Sequence, residues 1–251
     1  MKIIITHNND TYEVDLDKGH SIAIPLVSDS IGPKCFFAPP FTIRPVVAGD
    51  FIGDTNQGSP VNFKNITLNP HGNGTHTECV GHITQHPYHI VDTMASHHSI
   101  AKLISVPLIL SNDDLIIDTQ ALIDALGDVQ HCECLILRTL PNDDSKRTKD
   151  YSGTNPPFMT IDAIKFINGL GVKHLMLDLP SVDREEDGGA LNGHKTYWGV
   201  PDDIQTNKTI TEMVYIPEEI KDDFYFCNMQ VLPIAMDASP SNILLYEMNK
   251  I

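Results

Sequence analysis

Leu103-Ile104-Ser105-Val106-Pro107-Leu108-Ile109-Leu110 is the stretch on which the reading of the fold turns. A near-continuous apolar run of this length marks a strand covered on both faces. Residues 118–127 follow as a short helix with Leu122, Ile123 and Leu126 on one side, and residues 134–137 return to strand. Thr160 caps a helix in which Ile161, Ile164, Ile167 and Leu170 recur every three residues, with its end at Gly169 or Gly171. Residues 175–179 form a third buried strand. Strand, helix, strand, helix, strand in succession predicts an α/β core with parallel pairing. Outward from this middle, the first third alternates short apolar runs with turn residues. Residues 21–26 read as a strand, as do residues 61–68, where Phe63, Ile66 and Leu68 are the apolar members. Three tail segments, 210–216, 224–232 and 243–248, are strands again. No repeat and no Ser/Gly linker separates these regions, so the expectation is one mixed α/β domain over residues 1–251.

Composition narrows the function. Of 251 residues, 41% are hydrophobic and 20% charged, which is ordinary globular usage and needs no covalent staples. The 17 Lys and Arg against 33 Asp and Glu leave a net charge of −16. Such a surface repels phosphate backbones and anionic headgroups, so neither nucleic acid nor a membrane is the expected partner. An anionic substrate stays compatible, because a bound metal can reverse the local field. The five cysteines are too few and too irregular for a disulfide framework, and Cys132-Glu133-Cys134 lacks the gap of a zinc knuckle. Met1-Lys2-Ile3-Ile4-Ile5-Thr6-His7 stops being apolar too soon for a secretory signal. No window approaches the roughly 18 apolar residues of a membrane span. These features predict a soluble protein of the reducing cytoplasm.

The chemistry concentrates in Asn69-Pro70-His71-Gly72-Asn73-Gly74-Thr75-His76-Thr77-Glu78-Cys79-Val80-Gly81-His82. Imidazole and carboxylate donors suit zinc, manganese or iron. In an extended chain His76 and Glu78 point to one face and can grip one ion, while Cys79 points to the other as a buried thiol. Gly72 and Gly74 permit close backbone approach. His82 lies roughly 20 Å from His76 along an extended chain, too far to share its ion. If the chain coils after Glu78, His82 stands one turn above it, about 6 Å along the axis, where a general base belongs. His86, His89, His97 and His98 read as ordinary polar residues. Further donors must come from elsewhere. Asp178-Leu179-Pro180-Ser181-Val182-Asp183 ends a buried strand, where open α/β sheets place their sites, and His194 follows in a Gly-rich loop. Glu212 falls in the apolar strand 210–216. It is either an outward glutamate on a half-exposed strand or a buried one that a metal explains.

The motif resembles the H-x-G-T-H-x-D-x-P-x-H signature of the metal-dependent cyclase family, which includes bacterial kynurenine formamidases and isatin hydrolases. Gly74-Thr75-His76 and His82 match in register. Leu135-Ile136-Leu137-Arg138-Thr139, Gly171-Val172-Lys173, the segment from Asp178 to Asp183, then His194 and Ile210-Thr211-Glu212 follow in order. The resemblance covers residues 64–248. It implies the family's swivelling β/β/α fold, a homo-oligomer (dimer or tetramer) and one or two divalent ions, zinc or manganese. It implies His71, His76, Glu78, His194 and Glu212 as metal ligands and His82 as the residue that moves the proton. The activity implied is metal-dependent hydrolysis of a small amide, formamide, cyclic amide or lactone, at carbon–nitrogen bonds other than peptide bonds, as in an arylformamidase.

This chain departs from the signature in places. Gly72 stands where the family has its first histidine, with His71 one place earlier; either the segment bulges so that His71 reaches the ion, or that ligand is missing. Glu78 replaces an aspartate and Val80 a proline. Residues 195–209 read as an inserted loop near the site, carrying the single tryptophan, Trp198. The aromatic motif that kynurenine formamidases set against their substrate is not found near the N-terminus, which points away from N-formylkynurenine. Phe36, Phe37, Phe41 and Arg44 either line a pocket or belong to core and surface. The alternative to a hydrolase is a non-catalytic small-ligand or metal-binding protein of the same fold; a partner-docking protein would need an exposed face beyond diffuse acidity.

Overall fold

The computed structural model of the chain describes residues 1–28, 32–94 and 96–251. The chain opens with a hairpin of β1 (Lys2–His7) and β2 (Asp10–Asp15). Strand β3 (His76–Cys79) carries the histidine-rich motif. The apolar run becomes β4 (His98–Pro107), and β5 (Cys134–Leu140), β6 (His174–Leu177) and β7 (Thr209–Glu212) lie beside it in that order, all parallel. The tail forms β8 (Phe224–Val231) and the long β9 (Ala238–Lys250), an antiparallel pair. Strand β8 pairs with β4, β9 with β3, and β3 with β7, each antiparallel. The order β4-β5-β6-β7-β3-β9-β8 therefore returns to β4, and the mixed sheet closes on itself. Closure removes the open edges that a flat sheet would leave. The far end of β9 leaves the ring and pairs with β2.

Three helices cross between the parallel strands: α1 (Thr119–Leu126), α2 (Ile161–Gly169) and α3 (Asn192–Trp198). Their starts follow local chemistry. Asp118 accepts the Ala121 N–H at 2.9 Å and Thr160 accepts the Ala163 N–H at 3.2 Å, each cap contributing about 1 kcal/mol. Strand alternation then sorts β5 into two cores. Leu135 and Leu137 face outward onto Leu122, Ile164, Ile167, Tyr197 and Trp198 of the helices. Cys134 and Ile136 face the ring interior with Leu103, Met176, Cys227 and Ile243. Each buried Leu or Ile stabilises the fold by roughly 1.5–3 kcal/mol. The apolar run is such a doubly covered strand only as far as Val106; Ile109–Ser111 leave β4 for a separate ribbon, where Ile109 and Leu110 are exposed.

The first third is less regular than its sequence pattern. Within residues 21–26 only Ser21 sits in a ladder, and Ala23 makes an isolated bridge to Val214, because Pro25 has no N–H to give. Within residues 61–68 the strand is Lys64–Thr67, paired with Thr42–Pro45 in a small ribbon whose Ile66 is exposed. Residues 195–209 are not an inserted loop throughout. Lys195 to Trp198 belong to α3, and Tyr197 and Trp198 are fully buried against the outer core. Two helical turns are too short to show a period beside so many glycines. No helix among the described residues is long and apolar enough to cross a membrane.

Candidate metal centre

Strands β3 and β7 are neighbours, and their register sets His76 directly opposite Glu212. Both side chains, with Glu78 two residues along, face out of the ring beneath α3. The alternate residues Thr77 and Thr211 face inward and bond each other at 2.8 Å. Cys79 also faces the interior core, as a buried thiol. After Cys79 the chain coils into a 3₁₀ turn, Val80–Ile83, which lifts His82 Nε2 to 3.8 Å from Glu78 Oε2. From the other direction, Gly74 takes a left-handed φ of 68° and turns the motif into β3. The segment before it brings His71 Nδ1 to 3.0 Å from Glu78 Oε2, so the one-residue displacement does not remove this histidine from the cluster.

His194 arrives on α3 rather than in a loop. Its N–H and that of Gly193 both donate to the Asp183 carboxylate, which sits at the start of the helix. A side chain on Gly193 would fall 2.6 Å from Asp183 Oδ1, so only glycine lets that carboxylate close in. Asp183 Oδ2 also accepts from His194 Nδ1 at 2.7 Å, which turns Nε2 toward Glu78 Oε1 at 3.1 Å. All six residues singled out in the sequence, His71, His76, Glu78, His82, His194 and Glu212, thus converge on one place. His86, His89, His97 and His98 lie outside it, occupied with Tyr88, Asp92, Met229 and Phe226 respectively.

The electrostatics match a cation site. His76, Glu78, His194 and Glu212 are buried, whereas the side chains of His71, His82 and Asp237 remain 23%, 29% and 30% exposed and form the open side. Burial pushes Glu78 up, but His82, His194 and His71 around it outweigh this and hold it well below the usual carboxylate range. Burial and the negative Glu78 together raise Glu212. Burial opposes a charge on His71 and His194, yet their carboxylate partners raise both to about 10. Without an ion, the cluster balances its carboxylates by keeping imidazoles protonated.

Among the described residues four buried side-chain atoms lack a hydrogen-bond partner; two of them, His76 Nε2 and Glu212 Oε1, belong to this cluster, and Asp178 Oδ1 and Ser241 Oγ lie outside it. His76 Nδ1 donates to the Gly74 carbonyl at 3.1 Å, which leaves Nε2 as the nitrogen that faces the other donors. Nε2 stands 3.3 Å from Glu212 Oε2 without forming a hydrogen bond. Two atoms ligating one tetrahedral ion at about 2.0–2.1 Å stand about 3.3 Å apart. The donor set and these orphaned atoms therefore fit a divalent ion. Among the described residues three groups could hold a metal: His71, His76 and Glu78; His71, His82 and Asp237; and Glu78, His82 and His194.

Asp237 carried no sequence signal, yet it stands at the centre, its Oδ2 2.7 Å from His71 Nε2. Of the segment 27–60, residues 29–31 lie outside the described residues. Phe41 is buried and lines an apolar cleft of about 540 Å³ with Ile24, Leu26 and Leu232, and Arg44 is exposed. Phe36 and Phe37 form a surface turn with left-handed φ angles of 54° and 53°.

The closed mixed sheet, with a buried histidine–glutamate donor set beneath a crossover helix, defines an α/β protein whose side chains could hold a metal. The chain belongs to the Cyclase family, whose model matches residues 7–184. Solved structures share the fold. Isatin hydrolase A from Labrenzia aggregata, bound to benzyl benzoate, superposes with a TM-score of 0.66 at 15% identity, covering 91% of this chain and 93% of that one. A predicted metal-dependent hydrolase from Bacillus stearothermophilus gives 0.61 at 17% identity, covering 91% and 98%. A potential metal-dependent hydrolase with cyclase activity gives 0.64 at 15%, covering 91% and 97%. No curated protein matches the chain.

Proposed function

We propose that the chain is a metal-dependent hydrolase of a small amide, formamide, cyclic amide or lactone, acting on carbon–nitrogen bonds other than peptide bonds. One observation carries this reading: His76 Nε2 and Glu212 Oε1 are buried without a hydrogen-bond partner in a cluster that also holds Glu78 and His194. A buried unsatisfied polar atom costs about 1–3 kcal/mol, and a cation relieves two at once. His71, His76, Glu78, His194 and Glu212 would hold one or two ions, zinc or manganese. When bound, the ion supplies Lewis acidity toward a carbonyl and lowers the pKa of water at the site.

The chain's own residues do the rest. Asp183 and the Gly74 carbonyl fix the His194 and His76 rings so that each presents Nε2 to the facing glutamates. Glu78 lies between the donor groups, with Oε2 toward His71 and Oε1 toward His194, the posture of a bridging carboxylate. His82, on the open side, takes the proton from the attacking water and delivers it to the leaving nitrogen or oxygen. Water is added across the acyl bond and no covalent enzyme intermediate is needed. The isatin hydrolase neighbours bring cyclic amides into the substrate class; an arylformamidase-like activity is the second class to test. We read residues 1–251 as one domain, because β2 pairs with the end of β9, and as a cytoplasmic homo-oligomer, a dimer or tetramer, acting on a small molecule.

Elemental analysis of wild type and His76→Ala, followed by hydrolysis assays on isatin, lactones and aryl formamides, tests the reading. One or two equivalents of metal, lost in the variant, together with turnover lost in His82→Ala while metal is kept, is the expected result. A wild-type protein that neither contains nor takes up metal would overturn it. Full ligand binding by His82→Ala, with no turnover by wild type on any substrate, would instead favour the non-catalytic binder.

A further inference from the structure

Both ring nitrogens of His71 face carboxylates. Nδ1 stands 3.0 Å from the buried Glu78 Oε2, and Nε2 stands 2.7 Å from Asp237 Oδ2, on the open side. Both distances are shorter than the roughly 3.3 Å between ligands of a tetrahedral ion, and the second, the shorter of the two, is the length of a charge-assisted hydrogen bond. His71 therefore donates from Nε2 to Asp237 and is left with Nδ1 to offer an ion. The same Oδ2 lies 3.5 Å from His82 Nδ1, and the His71 and His82 rings lie with centroids 4.1 Å apart.

Asp237 is itself anchored to the motif it touches. Its carbonyl accepts the Cys79 N–H at 2.9 Å, and its neighbour Ala238 is registered against Glu78 in the β3–β9 ladder. A side chain on Gly81 would come 3.1 Å from Asp237 Cβ, so the turn carrying His82 packs closely against it. Asp183 stands behind His194 in the same way, which makes Asp237 the second carboxylate aimed at the back of a histidine in this centre.

We propose that Asp237 is a positioning residue that holds His71 through Nε2 and His82 through Nδ1, so that one carboxylate orients both a metal ligand and the proton-moving histidine. It rests on reading the centre as that of a metal-dependent hydrolase. It also accounts for the displaced first histidine. His71 approaches from one place earlier in the chain than the family signature, and a carboxylate from residue 237 secures the ring in that approach.

The test uses the full chain as wild type, Asp237→Asn and Asp237→Glu. Four readouts are needed: cobalt dissociation constants by chelator competition, the visible spectrum of the cobalt-loaded protein, ring nitrogen NMR of His71 and His82, and steady-state kcat and KM. Loss of the carboxylate in Asp237→Asn is expected to weaken cobalt binding by about 10- to 100-fold and to change the cobalt spectrum. It is also expected to lower kcat with KM little changed, and Asp237→Glu is expected to recover part of each. In wild type, the zinc-loaded protein is expected to show His71 bound through Nδ1 and protonated on Nε2. That measurement needs no variant, so it decides the matter even if both substitutions misfold. Cobalt affinity within twofold of wild type, an unchanged spectrum, or zinc on His71 Nε2 would overturn the proposal while leaving the hydrolase reading intact. If wild type binds no metal, the hydrolase reading falls. The ring shifts of metal-free wild type and Asp237→Asn then decide the Asp237 contacts, identical shifts overturning them.

Discussion

Strands β5 and β3 are buried in the same ring, and they are buried for opposite reasons. In β5, Cys134, Leu135, Ile136 and Leu137 fill an apolar core on each face. In β3, His76, Thr77 and Glu78 are just as inaccessible and all polar. The two faces of β3 differ again. Toward the ring interior, Thr77 and Thr211 satisfy each other. Toward α3, His76 Nε2 and Glu212 Oε1 have no hydrogen-bond partner. An apolar buried strand needs only shape to be stable, whereas a polar one needs a partner for every atom. Two atoms without such a partner meet on the facing strands β3 and β7, whereas the others, Asp178 Oδ1 and Ser241 Oγ, lie outside the cluster.

The contrast breaks most visibly if the ligand strand loses its ligand. His76→Ala is expected to abolish stoichiometric metal binding and to lower turnover by about a thousandfold or more, on the order of 4 kcal/mol in the barrier. Chelation of the wild type should do the same. It should also lower the melting temperature, since an ion at a thousand times its Kd contributes about 4 kcal/mol to the folded state. Elemental analysis and calorimetry read both. Leu137→Ala on β5 is the converse experiment. It should cost about 2–5 kcal/mol in denaturant unfolding and leave metal stoichiometry unchanged. Metal loss there, with the fold retained, would mean that the two strands do not divide their roles.

Glu212→Gln sharpens the comparison. Glu212 is raised by burial and by the nearby Glu78, so removing its charge should stabilise the metal-free protein by on the order of 1 kcal/mol while impairing metal uptake. A destabilised metal-free variant would contradict this. The smallest effect concerns protons. His71 and His194 lie at about 10 in the metal-free fold, above their ordinary 6.5, so both carry protons at pH 7 that an ion must displace. Calorimetry of metal binding in buffers of different ionisation enthalpy should therefore detect proton release. Folded values above the unfolded one also mean that the stability they lend is complete below about pH 6.5 and fades as pH rises toward about 10. Metal-free protein should accordingly lose stability across that window.

Much of this was legible from the chain alone. Helices α1 and α2 begin at Asp118 and Thr160 because a cap needs only the next three residues. His76 and Glu78 share a face because strand period is local, and His82 stands above Glu78 because one helical turn is local too. The helix carrying His194 was missed because seven residues beside three glycines show no period. Asp183 was visible as part of a motif, but its hold on His194 was not.

What the sequence by itself determined, then, was the α/β alternation, the cap positions and the donor residues, since each depends on atoms a few residues apart. Only the tertiary structure decided that His71 still reaches Glu78, that Glu212 faces His76 rather than solvent, and that Asp237 stands behind His71 across 166 residues of chain. Those contacts depend on which strands pair and in what register. That choice is made by burial of the whole sheet at once, and no window of the sequence contains it.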